Sequence, residues 1–386
     1  MKRFVLSLAL LCFLPVASWA THIIGGFVDY QYLGNNQYEI TLKVYRDCFG
    51  GQAPFDNPAT VAIFDGTGSL VRTISLFTPT ITDIEPTIDN PCLVIPPQVC
   101  VEEAVYTTTE TLPPNATGYY FTYQRCCRNG SITNVPNPGT QGATYFTFIP
   151  DSSTAQGNSS PVFREFPPIA ICVNEPLVVD QSATDADGDS LVYSLCASYD
   201  GGSQANPAPN PPASPPYNLI PFSPPYTPAD PMDANPKLEI DSLTGELTAT
   251  PTLQGQYVVG ICIEEYRNGV LIGTHVRDFQ FNVVRCPDVA VITPLPDTSV
   301  LCAPFEITFR ADSTNASFFF WNFGDPTTTQ DTSSLFEPTW TYPAEGLYTV
   351  TLFAENKDGC KDTTEQIVNI KQAAIANFDY VQVCPG

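Results

Sequence analysis

An all-β chain of tandem β-sandwich domains is the fold class this 386-residue sequence predicts, and three observations carry it. Apolar residues recur at every second position: Tyr38, Ile40, Leu42 and Val44 alternate with Glu39, Thr41 and Lys43, and Tyr348, Val350 and Leu352 with Thr349 and Thr351. A period of two turns one apolar face inward and one polar face toward water. The composition, with 38 Pro, 24 Gly, 24 Phe and only 2 Met, disfavours long helices and suits strands separated by turns. Short strand-like runs bounded by Pro- and Asn-rich turns then follow one another along the chain.

Residues 1–20 read as a cleaved secretory signal: Lys2 and Arg3 precede an apolar run from Phe4 to Val16, and Ser18-Trp19-Ala20 flanks the cut. The run is shorter than the roughly 20 residues that span a bilayer, and no second such stretch follows, so the mature chain has no predicted transmembrane segment. Of 13 cysteines only Cys12 precedes the cut, and an exported protein so rich in cysteine is expected to form disulfides. The neighbours Cys126 and Cys127 are expected to pair elsewhere, being adjacent in sequence. No Cys-x-x-Cys spacing occurs, which argues against a zinc ribbon or a redox motif.

The first domain is expected at 21–165. A hairpin joins a strand through Val28-Asp29-Tyr30-Gln31-Tyr32 to one through Tyr38–Val44, with a turn at 33–37. Further strands are predicted at 60–64, 70–76, 101–109, 118–125 and 144–149. A second sandwich is expected at 166–286, interrupted by a Pro-rich loop at 206–228 that is too rich in proline to pair as a strand and should run extended over the surface. Its Tyr217, Phe222 and Tyr226 have two readings, a binding edge or anchors that tie the loop down. A third domain is expected at 287–371, where Phe318–Phe323 runs into Gly324-Asp325 and Gly346 allows the tight turn before the 348–352 strand. Residues 372–386 look like the start of a further copy, since Gln382-Val383-Cys384-Pro385-Gly386 echoes Val300-Leu301-Cys302-Ala303-Pro304.

The run Trp321-Asn322-Phe323-Gly324-Asp325-Pro326, with Thr341-Tyr342 and Gly346-x-Tyr348-x-Val350-x-Leu352, resembles the PKD domain, an immunoglobulin-like sandwich. The resemblance implies tandem immunoglobulin-like β-sandwich domains, and within the last of them a Cys302–Cys360 bridge would tie an early strand to a late hairpin. Asn322 and Pro326 depart from the commonest form at positions compatible with a turn or a solvent face. Asp185-Ala186-Asp187-Gly188-Asp189-Ser190-Leu191, Thr244-Gly245 and Gly255-Gln256-Tyr257 resemble cadherin-like, immunoglobulin-type repeats of bacterial surface proteins. Thr21–Gly26, Tyr45-Arg46-Asp47-Cys48, Arg125-Cys126-Cys127-Arg128-Asn129, Asn158-Ser159-Ser160 and Glu265-Tyr266-Arg267-Asn268-Gly269 are similar to large Bacteroidota PKD-repeat surface proteins. That kinship implies a gliding-motility-associated protein exported by type IX secretion.

Sixteen Lys+Arg against 40 Asp+Glu give a formal charge of -24, a field that repels phosphate backbones and argues against nucleic acid as a partner. His22 and His275 are the only histidines. No Gly-x-Ser-x-Gly elbow or His-Glu-x-x-His helix accompanies them, so a satisfied strand histidine is the better reading of His275. Asp185, Asp187 and Asp189 alternate with small residues and can offer oxygens to calcium; an acidic turn that accepts backbone N–H bonds is the other reading. These readings converge on a secreted, cell-surface, non-enzymatic protein acting in adhesion, surface interaction or spacing, with an extracellular glycan or protein as partner. The alternative is an accessory portion of a larger secreted enzyme.

Overall fold

The computed structural model describes residues 22–372, apart from 50–52, 85–92, 94, 98, 287–289, 294–298, 302–304, 314–315 and 358. The expected signal at 1–20, Cys302, and 373–386 of the expected further copy lie outside the described residues. The described chain is almost entirely β, its one helical turn being the 3-10 segment Pro138–Thr140. It divides into two compact units between Arg285 and Cys286.

Predicted and observed strands of the amino-terminal part correspond closely: Ala59–Asp65, Leu70–Leu76, Val101–Thr111, Tyr119–Cys126 and Gly142–Ile149. The hairpin of Ile23–Gly34 and Gln37–Asp47 turns at Asn35 and Asn36, both with positive φ, the pairing a two-residue turn of that hand requires. Asn268-Gly269 makes the same kind of turn between the two longest strands, Gly255–Arg267 and Val270–Val284.

The boundary expected near residue 165 does not separate two compact units. One sheet runs in the order Ser190–Cys196, Gly255–Arg267, Val270–Val284, Ile23–Gly34, Gln37–Asp47, Val101–Thr111, Thr80–Asp83, so strands from both expected domains pair directly, with Gly26 opposite Asp278. The physical reason is close approach. Gly25 and Gly26 carry no Cβ, and one on Gly26 would strike the ring of Tyr145 while one on Gly25 would strike the backbone of Asp278 and Phe279.

Alternation along this shared sheet feeds separate cores. Val28, Ile40, Leu42 and Val44 pack with Val61, Ile63, Phe121 and Tyr123 of the four-stranded sheet, whereas Phe27 packs with Ile24, Tyr45 and Ile169. Tyr257, Val259, Ile261 and Ile263 enter a core with Leu247, Phe279 and Phe281, while Val258 packs with Ile132 and Ile220. Period two thus places cores on both faces of one sheet.

The second unit is a smaller sandwich. A five-stranded sheet contains Ala316–Asn322, Gly346–Asn356 and Lys361–Gln372, and Phe305–Thr308 pairs with Thr339–Tyr342. Trp321, Val350, Leu352 and Ala354 are fully buried, and Trp321 donates Nε1–H to the carbonyl of Leu335 at 2.9 Å. Asn322 and Pro326 are exposed. Gly346, expected to supply a tight turn, has no positive φ and begins a strand; the glycine that needs its freedom is Gly324, at φ 71.

Every cysteine among the described residues is disulfide-bonded, Cys360 included. Cys48 bonds Cys100, and Cys196 bonds Cys262 across neighbouring strands with Cα atoms 5.8 Å apart. The expectation that Cys126 and Cys127 pair elsewhere is overturned, because they bond each other. Their shared peptide is cis, which brings the Cα atoms to 3.0 Å and lets adjacent sulfurs meet.

Candidate functional site

Two places in the first unit gather polar or aromatic side chains. The first is the acidic turn. Asp185, Asp187 and Asp189 bring carboxylate oxygens within 4.8 Å of one another, with Gly188 at φ 81 between them. Their acceptors are largely in use. The backbone N–H groups of Asp187 and Asp189 donate to Asp185 Oδ1 at 2.9 Å, and that of Ser159 donates to Asp187 Oδ2 at 2.6 Å. Arg267 grips Asp189 through Nε at 2.8 Å and Nη2 at 2.5 Å and lies 3.7 Å from Asp187. That hydrogen bonding raises the Arg267 pKa and keeps the guanidinium charged. Calcium takes six to eight oxygens, and here the Arg267 guanidinium already supplies counter-charge to two of the three carboxylates, Asp187 and Asp189. A cation at these oxygens would share Asp187 and Asp189 with that guanidinium, and Asp185 Oδ2 is buried without a hydrogen-bond partner.

Arg267 also continues inward. Its Nη2 donates to Asn158 Oδ1 at 2.5 Å, Asn158 Nδ2 donates to Glu265 Oε1 at 2.8 Å and to Tyr30 Oη at 2.9 Å, and Glu265 Oε2 meets His275 Nε2 at 2.8 Å. Glu265 is 0% and His275 5% exposed, and the pair links two neighbouring strands as a buried hydrogen bond. Burial raises the Glu265 pKa, with His275 and Asn158 opposing it. His275 lies on a strand as expected, but only half satisfied: Nε2 meets Glu265 while Nδ1 is buried without a hydrogen-bond partner. A hollow of about 250 Å³ is lined by Tyr30 of this chain of bonds together with Asp29, Glu39 and Asp185.

The second place is an aromatic cleft of about 590 Å³. Its walls are Tyr120, Phe146 and Phe148 from the Tyr119–Cys126 and Gly142–Ile149 strands, Tyr199, and Tyr217 from the Pro-rich loop. Pro215, Pro216 and Leu219 form one rim, and Leu271 to Thr274 another. These side chains are there because strand alternation turns Tyr120, Phe146 and Phe148 away from the core that holds Tyr119, Phe121 and Tyr145. The ring centroids of Phe146 and Tyr217 are 4.8 Å apart, those of Tyr120 and Phe148 4.8 Å, and those of Phe146 and Tyr199 5.2 Å, at mutual angles between 43° and 74°.

The Pro-rich loop is tied down by its aromatics, and Tyr217 is a wall of the cleft as well. Tyr217 Oη bonds Thr122 Oγ1, and Phe222 packs beside Ile220 and Val258. Tyr226 donates to Asp233 Oδ2 at 2.6 Å with its ring edge-on to Tyr257. No strand runs through 206–228, whose ladder contacts are isolated bridges such as Tyr199–Leu219, as its proline content predicted. Sequence reasoning found Tyr217 but missed Tyr120, Phe146 and Phe148, whose only signal was an aromatic at the outward position of a strand.

Residues 287–371 match the family model of the PKD domain. Among solved structures, the PKD1 domain of Vibrio anguillarum Epp is 22% identical, covering 22% of this chain and 94% of that chain at a TM-score of 0.18. The PKD1 domain of the Vibrio cholerae metalloprotease PrtV is 25% identical over 21% of this chain and 93% of that chain, at a TM-score of 0.17. The fibronectin(III)-like modules of Clostridium thermocellum CbhA are 11% identical over 55% and 94%, at a TM-score of 0.19. No curated protein matches the chain.

Proposed function

We propose that the protein is a non-enzymatic, modular surface protein that adheres to or spaces extracellular partners, displayed on the cell surface by the type IX route that its sequence motifs suggest. PKD domains are typical of extracellular proteins, the described cysteines are all disulfide-bonded, and no helix among the described residues is long and apolar enough to cross a membrane. The observation that carries the adhesive reading is the aromatic cleft: an open recess with ring walls, built on two paired strands that hold its shape. The buried Glu265–His275 pair supports the same reading, since the residues a hydrolase would most readily use are spent on holding strands together.

The test is retention. Beads coated with the full secreted chain are passed over immobilised extracellular polysaccharide and matrix protein, against beads coated with the same chain after urea unfolding. Selective retention of the folded form is the expected result; equal, negligible retention of both on every surface overturns the adhesive role.

A further inference from the structure

We infer that the aromatic cleft is a binding site for an uncharged oligosaccharide, an inference that rests on the adhesive reading and assigns it a ligand class. Charge is the first argument. The chain carries a formal charge of -24, yet none of the side chains lining this cleft is ionisable to a charged form near neutral pH. An anionic glycan would be repelled by the surrounding field, and a cationic ligand would meet no carboxylate to recognise it. The cleft therefore selects for a neutral partner.

Ring chemistry is the second argument. A pyranose presents C–H groups on its faces and hydroxyls around its edge, and the negative face of an aromatic ring attracts polarised C–H groups. Tyr120, Phe146, Phe148 and Tyr199 are each partly exposed, and their tilts form successive walls. Tyr120, Tyr199 and Thr274 bring hydroxyl-bearing side chains to the lining, the donors and acceptors a sugar edge needs. A volume of about 590 Å³ falls within the roughly 300–1,000 Å³ of small-ligand sites.

A proline-rich peptide is the competing occupant of a tyrosine-lined groove. Here that contact is already made internally. Pro215-Pro216-Tyr217 lies along the cleft, and Tyr217 sits on Phe146 with its hydroxyl fixed to Thr122. The chain's own segment, with Tyr217 edge-on to both Tyr120 and Tyr199, fills the strip a prolyl ligand would use, while Tyr120, Phe148 and Tyr199 each stay partly exposed.

The full secreted chain is titrated by calorimetry with neutral hexasaccharides (cello-, xylo-, laminari-, manno- and malto-), with polygalacturonate and with decaproline. Saturable binding of at least one neutral hexasaccharide is expected, unchanged in 1 M NaCl. Tyr199→Leu and Phe148→Leu keep apolar bulk but remove the ring, and each is expected to weaken that binding roughly 3- to 10-fold with an unchanged melting temperature. Absence of neutral-saccharide binding by the folded chain, undiminished affinity in both leucine variants, or preference for decaproline or polygalacturonate overturns the inference. Beads that still adhere selectively in such a case leave the adhesive role standing with another ligand surface, so the two failures are distinguishable.

Discussion

Arg128 donates from Nη1 and Nη2 to the two carboxylate oxygens of Asp278, at 3.2 and 2.5 Å, across 150 positions of sequence. Their side chains are 0% and 4% exposed. Arg128 further donates Nε–H to the Gly142 carbonyl at 2.9 Å, so one guanidinium joins the four-stranded sheet to the shared sheet. Asp278 strengthens its hold on the proton against the burial that would weaken it. Arg128→Met strands a buried carboxylate and is expected to cost roughly 3–5 kcal/mol, whereas the double change Arg128→Met with Asp278→Leu should recover most of that loss. Urea denaturation of the three proteins, followed by far-ultraviolet circular dichroism, checks it; equal losses in single and double variants would show that packing, not the unpaired charge, sets the cost.

Asp29 gives stability a pH dependence of defined sign. Burial raises its carboxyl from 3.8 to about 6, against the pull of Lys43, a hydrogen bond with Thr41 and the nearby His275. Between those values the folded state holds a proton that the unfolded chain has released, so stability falls as pH rises through that window and is level above it. Asp29→Asn cannot ionise. The variant and parent are expected to converge toward pH 4 and to separate toward pH 7, with the variant more stable by about 2–3 kcal/mol. Urea midpoints across pH 4–7 measure the gap, and a gap that stays constant would rule out Asp29 as its source.

Much of the fold was legible because period two is a local property. The Tyr38–Val44 alternation and the 348–352 alternation each fixed a strand and its inward face without reference to any partner. What joins distant segments was not legible. Arg128, Asn158, Glu265 and Arg267 stand in motifs the sequence singled out as family resemblance, and the structure gathers Asn158, Glu265 and Arg267 into one hydrogen-bonded chain and pairs Arg128 with Asp278. No pattern of spacing announces that residues over 100 positions apart will share a proton donor. The same limit hid the continuity of the shared sheet, since the approach of Gly26 to Asp278 is a long-range pairing. The cleft was half visible: Tyr217 lies in a conspicuous Pro-rich loop, but Tyr120, Phe146 and Phe148 look like any outward strand residues until folding sets them side by side.

Arg267 separates the two readings of the acidic turn. With its guanidinium in place Asp187 and Asp189 already have a cation, so millimolar calcium is expected to leave the melting temperature of the parent unchanged. Arg267→Gln removes the charge while keeping a donor for Asn158, and crowding of Asp187 and Asp189 should then lower stability by roughly 2 kcal/mol. Calcium should restore part of this loss in the variant alone. A calcium-dependent rise in the parent's melting temperature would instead show that the turn binds the metal with Arg267 present.

Gly324 and Gly346 test which glycine the second unit needs. Both belong to the motif that resembles the PKD domain, but only Gly324 adopts positive φ, at 71°, and a Cβ there would collide with the Thr349 carbonyl oxygen of the neighbouring strand. At Gly346 a Cβ would meet the Tyr348 ring at 3.4 Å, an ordinary contact, in a backbone conformation any residue tolerates. Gly324→Ala is expected to lose roughly 2–4 kcal/mol from combined backbone strain and displacement of the strand, and Gly346→Ala less than about 1 kcal/mol. Trp321 and Trp340 both lie in this unit, Trp321 fully buried, so tryptophan emission during urea denaturation reports its unfolding directly. Equal midpoints for the two variants would mean that the Gly324 turn can shift away from Thr349 at little cost, and that the packing of Trp321 and Phe323 does not hold it in place.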